Sequence, residues 1–459
     1  MNDKFTPAGE NSPAGFINKL ICGDNLDELG KLLKESVDLV YIDPPFFTHK
    51  QYEVVWGDEA EVRSFEDRWE GGIEHYISWM KPRILSIYDV LKPTGSFYLH
   101  CDWHANAHLR IICDEIFGEN NFRNEIIWQR STDTGSSKAI SKKFPANSDT
   151  ILFYVKSNHY VFNPQFFKYT HKYLERFKYS DEKGRYRWQC LKTYSQETLK
   201  KLESENRIRW GKKAKNPEYK QYEWELKGVL ISNIWTDINQ INPAARERLG
   251  YPTQKPEALL ERIIKASSNP GDIVLDAFCG CGTTMAVAHK LGRRWIGIDI
   301  SPTAIKTVDD RLRRVGSKKD EGRGIIATDQ DYIVVGMPVR ADELKRLKPF
   351  EFQNWVINEM AARHSRKKVG DMGLDGYLAR DLYHEEAGIQ VKQTENVGRN
   401  VVDNFETALK RAKYKRGYLV AFSFGKGAVE EVARLKNEGD VNIILVTVDD
   451  LLYKRKPIG

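Results

Sequence analysis

Cysteine is scarce in this chain: there are six among 459 residues, and only Cys279 and Cys281 are close neighbours. A structural zinc site needs about four convergent ligands, and the sequence around this pair offers no others. The spacing provides no disulfide framework either. We therefore expect Cys279 and Cys281 to be small apolar residues in a tight turn.

Long apolar runs are missing as well, since none approaches the roughly 18 residues that span a bilayer. Residues 1–15 are polar and rich in Gly, Pro and Asn, which is typical of a flexible extension and not of a signal peptide. These absences predict a cytoplasmic protein. With 459 residues, of which 41% are hydrophobic and 29% charged, the chain is predicted to be globular and to form two or three domains.

Two short segments far apart in the sequence are predicted to form the halves of one active site. Residues 43–46 (Asp-Pro-Pro-Phe) follow the apolar run 37–42, which is a predicted buried strand. Residues 278–282 (Phe-Cys-Gly-Cys-Gly) separate a second predicted strand, 273–277, from a predicted helix. A strand, a Gly-rich turn and a helix in this order are typical of a doubly wound α/β fold that holds an adenosine-containing cofactor.

The first segment has groups suited to an exocyclic amine, which is a poor nucleophile because its lone pair is delocalised into the base. The carboxylate of Asp43 can accept one amine hydrogen, and the backbone carbonyl of Pro44 can accept the other. Pro44 and Pro45 fix the backbone, and Phe46 can stack on a base flipped out of a duplex. By itself the segment is also compatible with an ordinary turn.

Together with the first, the second segment indicates methyl transfer from S-adenosylmethionine to a nucleic-acid base. Gly280 and Gly282 permit a sharp turn with close approach to a ligand, and a helix beginning near Thr283 offers free N–H groups to a carboxylate. Asp299, at the end of the next predicted strand, can accept ribose hydroxyls. The alternative for Asp299 is an acid at a helix N-terminus, and a Gly-rich loop alone would equally suit a dinucleotide.

The segment 251–256 (Tyr-Pro-Thr-Gln-Lys-Pro), followed by a predicted helix, favours the methyl donor. With it, residues 20–310 resemble the DNA amino-methyltransferases that act on adenine N6 or cytosine N4, in the permuted order that puts the catalytic motif before the cofactor motif. The resemblance implies a Rossmann-like, S-adenosylmethionine-dependent methyltransferase with a target-recognition insert. It makes residues 43–46 catalytic and implies donor contacts from Asp24, Thr253, Lys255, Pro256, Asp276, Phe278, Gly280, Gly282, Thr283 and Asp299.

The target base follows from the first residue of the catalytic motif. In this family Asp is commoner there among adenine-N6 enzymes, and Ser among cytosine-N4 enzymes. Phe46 stands where the family commonly has Tyr, so the stacking ring is kept and a hydroxyl is lost. We therefore predict adenine, with cytosine as the alternative. A DNA-binding protein with a degenerate methyltransferase fold is a further alternative, which the intact Asp43, Gly280 and Gly282 disfavour.

A basic, aromatic stretch lies between the two halves. Over residues 156–227, Lys and Arg outnumber Asp and Glu by about two to one and alternate with many aromatic residues. Taken alone this would be a solvated basic face, but between the halves of a base-modifying site it predicts contacts with double-stranded DNA. The predicted contacts are Arg185, Arg187, Arg207, Arg209, Lys212 and Lys213.

A second constellation lies near the C-terminus. Asp375, in a Gly-Leu-Asp-Gly segment, precedes a predicted strand that carries Gln390 and Lys392, which would bring the three residues to one edge. An acid, an amide oxygen and an ammonium suit a divalent metal and an activated water. The segment resembles the Mrr-like restriction endonucleases, a branch of the PD-(D/E)xK nuclease fold in which Gln often replaces the second acid.

For this region we predict Mg²⁺ bound by Asp375 and Gln390, with Glu359 on the preceding helix as a further ligand and Glu351 as a weaker candidate. Lys392 would orient or activate the attacking water. One alternative is that Asp375 lies in an ordinary turn and Lys392 is a solvated lysine. Another is that the domain only binds DNA or a partner.

The chain is predicted to have six parts. The protein is predicted to belong to a restriction–modification or related defence system. A homodimer and further restriction-system subunits are compatible partners. The parts are an extension (1–15), a catalytic half (16–155), a target-recognition insert (156–250), a cofactor half (251–325), a linker (326–348) and a small α/β restriction-endonuclease-like domain (349–459).

Overall fold

The computed structural model places the chain in two compact units. The first unit comprises residues 1–162 and 233–459, and the second comprises residues 163–232. The residues that the structure describes are 17–47, 51–56, 61–66, 72–131, 142, 144, 146–211, 215–242, 244–249, 253–314, 331–338, 340–360, 362–364, 373–379, 381, 385–439, 441–453 and 455.

The start of the first unit alternates strands with helices, as its apolar pattern predicts. The predicted strand 37–42 is observed with the same bounds. The elements are β1 (Asn18–Cys22), α1 (Asn25–Leu29), β2 (Val37–Ile42), β3 (Gln51–Trp56), β4 (Glu61–Glu66), α2 (Gly72–Val90), β5 (Leu91–Cys101), α3 (Asn106–Phe117), β6 (Phe122–Gln129) and β7 (Ser148–Val155).

The second unit is small and built mainly from short antiparallel strands. Its elements are β8 (Phe166–Phe167), α4 (His171–Leu174), β9 (Tyr179–Asp181), β10 (Gly184–Cys190), α5 (Gln196–Ser204), β11 (Ile208–Arg209), β12 (Glu218–Tyr222) and β13 (Val229–Leu230). A four-stranded sheet has the order β11-β12-β10-β9, and β13 pairs with β8. Buried Phe177, Leu202 and Tyr222 provide its apolar interior.

The chain then returns to the first unit. The elements are β14 (Ile234–Trp235), α6 (Glu257–Ser267), β15 (Ile273–Asp276), α7 (Thr283–Lys290), β16 (Arg294–Asp299), α8 (Pro302–Arg314) and β17 (Tyr332–Val335). Strand β14 pairs with β6. The predicted insert, 156–250, is therefore too long at its C-terminal end, because residues from Asn233 onward belong to the first unit.

One nine-stranded sheet joins the early and late segments, in the order β14-β6-β7-β5-β2-β15-β16-β1-β17. The six strands from β5 to β17 are mutually parallel, and β7 is antiparallel to β5 and β6. The late strands β15 and β16 thus lie between the early strands β2 and β1. This confirms the predicted doubly wound α/β class.

The core of this sheet follows from the periodicity of its helices. On α2 the buried side chains include Tyr76, Met80, Ile84 and Ile87, which recur every three or four residues along one face. Every residue of β15 is buried, as expected for a parallel strand covered on both faces. Within the described ranges, each helix is too short or too polar to cross a lipid bilayer.

The structure departs from the predicted linker, 326–348, over the described part of that range. Residues Tyr332–Val335 form β17, which pairs with β1 in parallel. The Tyr332 ring is buried, with its centre 5.6 Å from that of Trp295. A four-residue edge strand has too few positions to show a period among charged neighbours, so the sequence pattern did not reveal it.

The C-terminal part forms a separate five-stranded sheet, which confirms the predicted second, smaller α/β domain. Its elements are α9 (Ala341–Lys345), α10 (Pro349–Glu359), β18 (Arg363–His364), β19 (Gly376–Leu378), β20 (Ala387–Lys392), α11 (Arg399–Ala412), β21 (Arg416–Ala421), α12 (Lys426–Glu438), β22 (Asn442–Thr447) and α13 (Val448–Leu452). The order is β18-β19-β20-β21-β22, in which β20, β21 and β22 are parallel. Two apolar cores cover the two faces of this sheet.

Candidate functional site

The two predicted halves meet at one edge of the large sheet. Strands β2 and β15 are parallel neighbours, with Val40 opposite Leu275. The carboxyl ends of parallel neighbours lie at the same edge. Residues 43–46 and 277–282 therefore leave the sheet side by side, although the whole second unit separates them in the sequence.

Asp43 is the centre of the catalytic half. One carboxylate oxygen, Oδ2, forms an ion pair with Lys255 Nζ. The other oxygen, Oδ1, is buried and has no hydrogen-bond partner in the described part of the chain. A buried acceptor left without a partner costs about 1–3 kcal/mol, so Oδ1 is poised to accept a hydrogen from a ligand.

Phe46 ends the catalytic motif, and its ring lies near His100 and the ammonium of Lys255. Its ring centre lies 5.6 Å from that of His100 and 5.0 Å from Lys255 Nζ. Of the two prolines, Pro44 is buried and Pro45 is exposed. A carboxylate, a backbone carbonyl and an aromatic ring in one loop can hold the amine edge and the face of a base.

A buried polar chain that the sequence analysis missed lies behind Phe46. His100 Nδ1 is 2.9 Å from the Tyr41 hydroxyl, and His100 Nε2 is 3.3 Å from Asp149 Oδ2. Burial raises the pKa of Asp149, but the hydrogen bond with His100 and the nearby charge of Lys255 outweigh it, so this pKa lies below its usual value. The sequence signal that could have revealed this chain is a histidine inside the apolar strand β5. A buried polar group requires hydrogen-bond partners, so His100 implies further polar residues around it.

The Gly-rich loop makes the expected sharp turn. Gly282 has a φ of +75°, and a Cβ atom there would lie 2.6 Å from Val308, so only glycine fits. Asp299 braces the loop, since its Oδ2 accepts from the Gly280 N–H at 2.8 Å and its Oδ1 from the Ser301 N–H at 2.9 Å. The ribose contact of Asp299 stays a prediction.

Asp276 supports the loop from the interior of the fold. Its Oδ1 accepts from the Phe278 N–H at 3.0 Å, and its Oδ2 accepts from Thr284 Oγ1 at 2.6 Å. Burial, assisted by the charges of Asp43 and Asp299, raises the pKa of Asp276 to about 7. Because the buried carboxyl is engaged by the loop itself, the structure gives Asp276 a supporting role in place of the predicted donor contact.

Asp24 is held by residues that the sequence analysis also missed. Arg83 Nη2 donates to both Asp24 carboxylate oxygens, at 2.8 and 3.1 Å, and Arg83 Nε donates to Asn25 Oδ1 at 2.6 Å. Asn25 Nδ2 donates to the Ala277 carbonyl at 2.8 Å, and the Trp79 ring covers the Arg83 guanidinium. Arg83 lies on the buried face of α2, where a charge signals a buried partner.

Lys255 connects the donor half to the catalytic half. Thr283 Oγ1, in the first turn of α7, donates to the Lys255 carbonyl at 3.3 Å, while Lys255 Nζ also lies 3.5 Å from the Thr253 carbonyl. Arg311 Nη1 donates to Thr283 Oγ1 at 3.2 Å. Pro256 occupies the N-cap position of α6. The predicted Thr-Gln-Lys-Pro segment therefore reaches both halves of the site.

In the C-terminal domain, Asp375 directly precedes β19 and bonds the neighbouring strand β20, which carries Gln390. Asp375 Oδ2 accepts from the Val391 N–H at 2.6 Å, and the Asp375 N–H donates to the Ile389 carbonyl at 2.8 Å. Gln390 is only 6% exposed and donates from Nε2 to the Gly373 carbonyl at 2.7 Å. Its Oε1 is buried and has no partner among the described residues.

This arrangement fits a hydrated Mg²⁺. Asp375 offers a carboxylate and Gln390 an orphaned amide oxygen, and Mg²⁺ typically keeps several waters beside one or two protein ligands. Lys392 lies two positions after Gln390 on β20, hence on the same face. In the part of the chain that the structure describes, no three His, Cys, Asp or Glu side chains gather to hold a metal.

The two acids of α10 contact the methyltransferase half. Glu359 pairs with Lys306 of α8 at 3.3 Å, and Glu351 accepts from Ser301 Oγ at 2.9 Å. Asn358 Nδ2 also bonds a side chain of α8 at 3.2 Å. These contacts hold α10 against α8, which corrects the predicted ligand role of Glu359 and of the weaker candidate Glu351.

Two of the predicted DNA contacts are structural. Arg187 is buried and donates from Nε to Gln221 Oε1 at 2.8 Å. Arg207 is buried and donates to Glu225 Oε1 at 2.5 Å and to Glu205 Oε2 at 3.2 Å. Both side chains are buried and bonded to partners within the second unit, Arg187 to an amide and Arg207 to two carboxylates, so the structure gives them internal contacts in place of the predicted contacts with DNA.

Arg185 and Arg209 stay half-exposed, although they pair with Glu223 at 3.1 Å and with Glu218 at 2.6 Å. Lys212 and Lys213 lie outside the described residues. Exposed cations that were not singled out in the sequence are common in the second unit. They are Lys168, Lys172, Arg176, Lys178, Lys183, Lys192, Lys200, Lys201, Lys215 and Lys227.

Comparisons with known proteins agree with this organisation. Residues 37–310 match the family model described as DNA methylase, and residues 344–453 match that described as restriction endonuclease. Type II methyltransferase M.EcaI of Enterobacter cloacae is 30% identical over 324 residues, which cover 64% of this chain and 69% of M.EcaI.

DNA adenine methyltransferase YhdJ of Escherichia coli strain K12 is 32% identical over 298 residues, which cover 64% of this chain and 83% of YhdJ. Among solved structures, the cytosine-N4-specific PvuII DNA methyltransferase is 17% identical, with a TM-score of 0.41, over 66% of this chain and 89% of the other. The chain belongs to the DNA methylase family and carries a C-terminal domain of the restriction endonuclease family.

Proposed function

We propose that this protein transfers the methyl group of S-adenosylmethionine to N6 of an adenine flipped out of double-stranded DNA, as part of a restriction–modification system. The observation that carries the proposal is the buried, unpartnered Oδ1 of Asp43, whose ion-pair partner Lys255 lies 5.0 Å from the ring centre of Phe46. An acceptor and an aromatic ring that share this lysine suit an amino group on a planar base.

The residues at the sheet edge fit the methyl donor, which supplies an electrophilic methyl group when bound. The first turn of α7 follows Gly282 directly, and its N–H groups, which lack partners within the helix, can receive a carboxylate. Asp24 follows β1 and Asp299 ends β16, and these strands are parallel neighbours. Their carboxylates are the acceptors that we propose for the adenosine hydroxyls and amine.

Asp43 and Pro44 orient the target amine. Asp43 Oδ1 accepts one amine hydrogen and the Pro44 carbonyl accepts the other, which turns the nitrogen lone pair towards the donor. Positive charge would develop on the nitrogen as its bond to the methyl carbon forms, while the methyl–sulfur bond of the donor breaks and S-adenosylhomocysteine leaves with the electron pair. The Asp43 carboxylate stabilises that charge and is the first acceptor for the proton that the amine releases.

The test of this role is the Asp43→Ala variant. With tritiated S-adenosylmethionine and unmethylated genomic DNA, it should lose methyl transfer, while calorimetry should show donor affinity close to that of the wild type. Asp89→Ala is a matched control, because Asp89 is a half-exposed acid that pairs with Lys34 away from the sheet edge. Methyl incorporation near the wild-type rate in Asp43→Ala would contradict the assignment.

The target base is tested by mass spectrometry of nucleosides from methylated DNA. We expect N6-methyladenine, because Asp heads the catalytic motif. N4-methylcytosine as the sole product would refute the choice of adenine and leave the catalytic role of Asp43 intact.

We further propose that exposed lysines of the second unit contact the DNA phosphates. Replacing Lys168, Lys172 and Lys178 by Gln should flatten the dependence of log K on log salt concentration by about 0.9 for each lost phosphate contact. Arg207→Gln is the matched control, since Arg207 is buried and paired with Glu225. It should lower the melting temperature without a comparable change in the salt slope. An unchanged slope in the triple variant would place the DNA elsewhere.

A second activity is proposed for the C-terminal domain, namely Mg²⁺-dependent cleavage of DNA that lacks the methyl mark. The observation that favours it is the buried, orphaned Oε1 of Gln390, whose Nε2 bonds the Gly373 carbonyl two residues before Asp375. These two groups would hold the ion, and Lys392 on the same face of β20 would orient the attacking water and stabilise phosphate charge.

Cleavage is tested by incubating unmethylated plasmid with the intact protein, with and without Mg²⁺ or Mn²⁺. Cutting or nicking should require the metal and should be lost in Lys392→Ala, whereas Lys426→Ala serves as control because that lysine is 90% exposed on another element. If no metal supports cutting of any DNA, the domain is a binding module.

A further inference from the structure

Lys255 has a position that the resemblance to the methyltransferases does not explain. The family pattern assigns its segment to packing against the donor, yet its ammonium pairs with Asp43 Oδ2. The side chain of Lys255 is only 11% exposed and that of Asp43 15%. An ion pair shielded to this degree from water is oriented much more strongly than a surface pair.

We propose that Lys255 is a positioning residue for methyl transfer, which acts on the target amine through Asp43 and not on the donor. This inference rests on the proposed methyltransferase function. By holding Oδ2, Lys255 selects one orientation of the carboxylate, and that orientation leaves Oδ1 free for the amine.

The surroundings of Lys255 keep its ammonium in this place. Its own backbone carbonyl accepts from Thr283 Oγ1 at 3.3 Å, so the residue is anchored to the first turn of α7. Its Nζ lies 5.0 Å from the Phe46 ring centre, within range of a cation–π contact. Asp149, buried behind Phe46, also senses the Lys255 charge. The ammonium therefore contacts the Asp43 carboxylate and lies close to the ring that would receive the base.

Removing this cation should affect chemistry more than binding. Without Lys255 the Asp43 carboxylate loses the only ion-pair partner that it has among the described residues, and with it the contact that fixes its orientation. A displacement of a reacting group by about 1 Å can cost about 100-fold in rate. We therefore expect Lys255→Met to lower the single-turnover rate constant of methyl transfer by about 100-fold, with donor affinity within about twofold of the wild type.

The experiment measures single-turnover methyl transfer to unmethylated genomic DNA at saturating S-adenosylmethionine, together with donor affinity by calorimetry and the melting temperature. Lys265→Met is the matched control, because Lys265 pairs with Glu261 on an exposed face of α6. Lys255→Arg retains a cation and should recover a substantial part of the rate, which a loss of packing alone would not predict.

The outcomes separate this inference from the proposed function. No methyl transfer by the wild type would refute the proposed function itself. With an active wild type, an unchanged or faster rate in Lys255→Met would overturn the positioning role. A large loss of donor affinity with a normal rate at saturating donor would overturn it too, in favour of a donor contact. If Lys255→Met fails to fold, Lys255→Arg decides the question. A folded Lys255→Arg protein whose rate is no higher than that of a sample without active enzyme would count against the role of the cation.

Discussion

Replacing Asp276 by Asn should remove a pH dependence that this buried carboxyl imposes on stability. The pKa of Asp276 is raised to about 7, chiefly by burial. In its neutral form it can accept from the Phe278 N–H and share a hydrogen bond with Thr284. Asn can do the same, with Oδ1 as the acceptor and Nδ2 as a donor to the threonine oxygen. The variant is therefore a permanent mimic of the protonated acid.

The sign of the effect follows from proton linkage. An acid with a higher pKa in the folded than in the unfolded chain keeps its proton longer when folded, so stability falls as the pH rises between the two values and stays low above the folded one. For Asp276 these values are 3.8 and about 7. The difference corresponds to about 4 kcal/mol, of which about 2–3 kcal/mol is lost between about pH 5 and pH 8.

The assay is urea unfolding of wild type and Asp276→Asn at about pH 5, 6, 7 and 8. Subtracting one free energy of unfolding from the other removes the contributions of the other titratable groups, because both proteins contain them. We expect Asp276→Asn to gain about 2–3 kcal/mol relative to the wild type across this range. Asp276→Ala should be less stable at every pH, because it leaves the Phe278 N–H and Thr284 hydroxyl without their acceptor. A difference between wild type and Asp276→Asn that does not change with pH would refute the reasoning.

Three further predictions concern the donor site and its contact with the C-terminal domain. Gly282→Ala should abolish donor binding in calorimetry, because the new Cβ would lie 2.6 Å from Val308, whereas Gly271→Ala has an equally unfavourable φ with open space around it and should bind normally. Glu351→Gln weakens the contact with Ser301, whose N–H bonds Asp299, so this variant should lower donor affinity by a few-fold. A substitution of the exposed Lys426 is the control and should leave donor affinity unchanged. Truncation after residue 340 should likewise reduce donor affinity without abolishing methyl transfer, and a truncated protein with wild-type affinity would show that this contact does not reach the donor site.

Local features of this protein could be predicted from the sequence because they depend on neighbouring residues. Strand β2 was predicted with its bounds from six consecutive residues dominated by apolar side chains. The motif at 43–46 and the Gly-rich loop were predicted as well, since turns, helix starts and the chemistry of their side chains are encoded in a few adjacent positions. The order of these motifs was also sufficient for the resemblance to the family.

Tertiary structure decided which of these residues meet. Only the pairing of β2 with β15 brings Asp43 beside the Gly-rich loop, and only packing turns Lys255 towards Asp43. The same basic residues that predict DNA contacts can be exposed or, like Arg207, buried against a carboxylate. Sequence periodicity tells which face of an element is buried, but not which element covers it, because contacts between distant segments depend on sheet order and not on neighbouring residues. The sequence by itself therefore determined the family, the fold class and the motifs, whereas the roles of Asp276, Lys255 and Arg207 depended on the partners that folding brought to them.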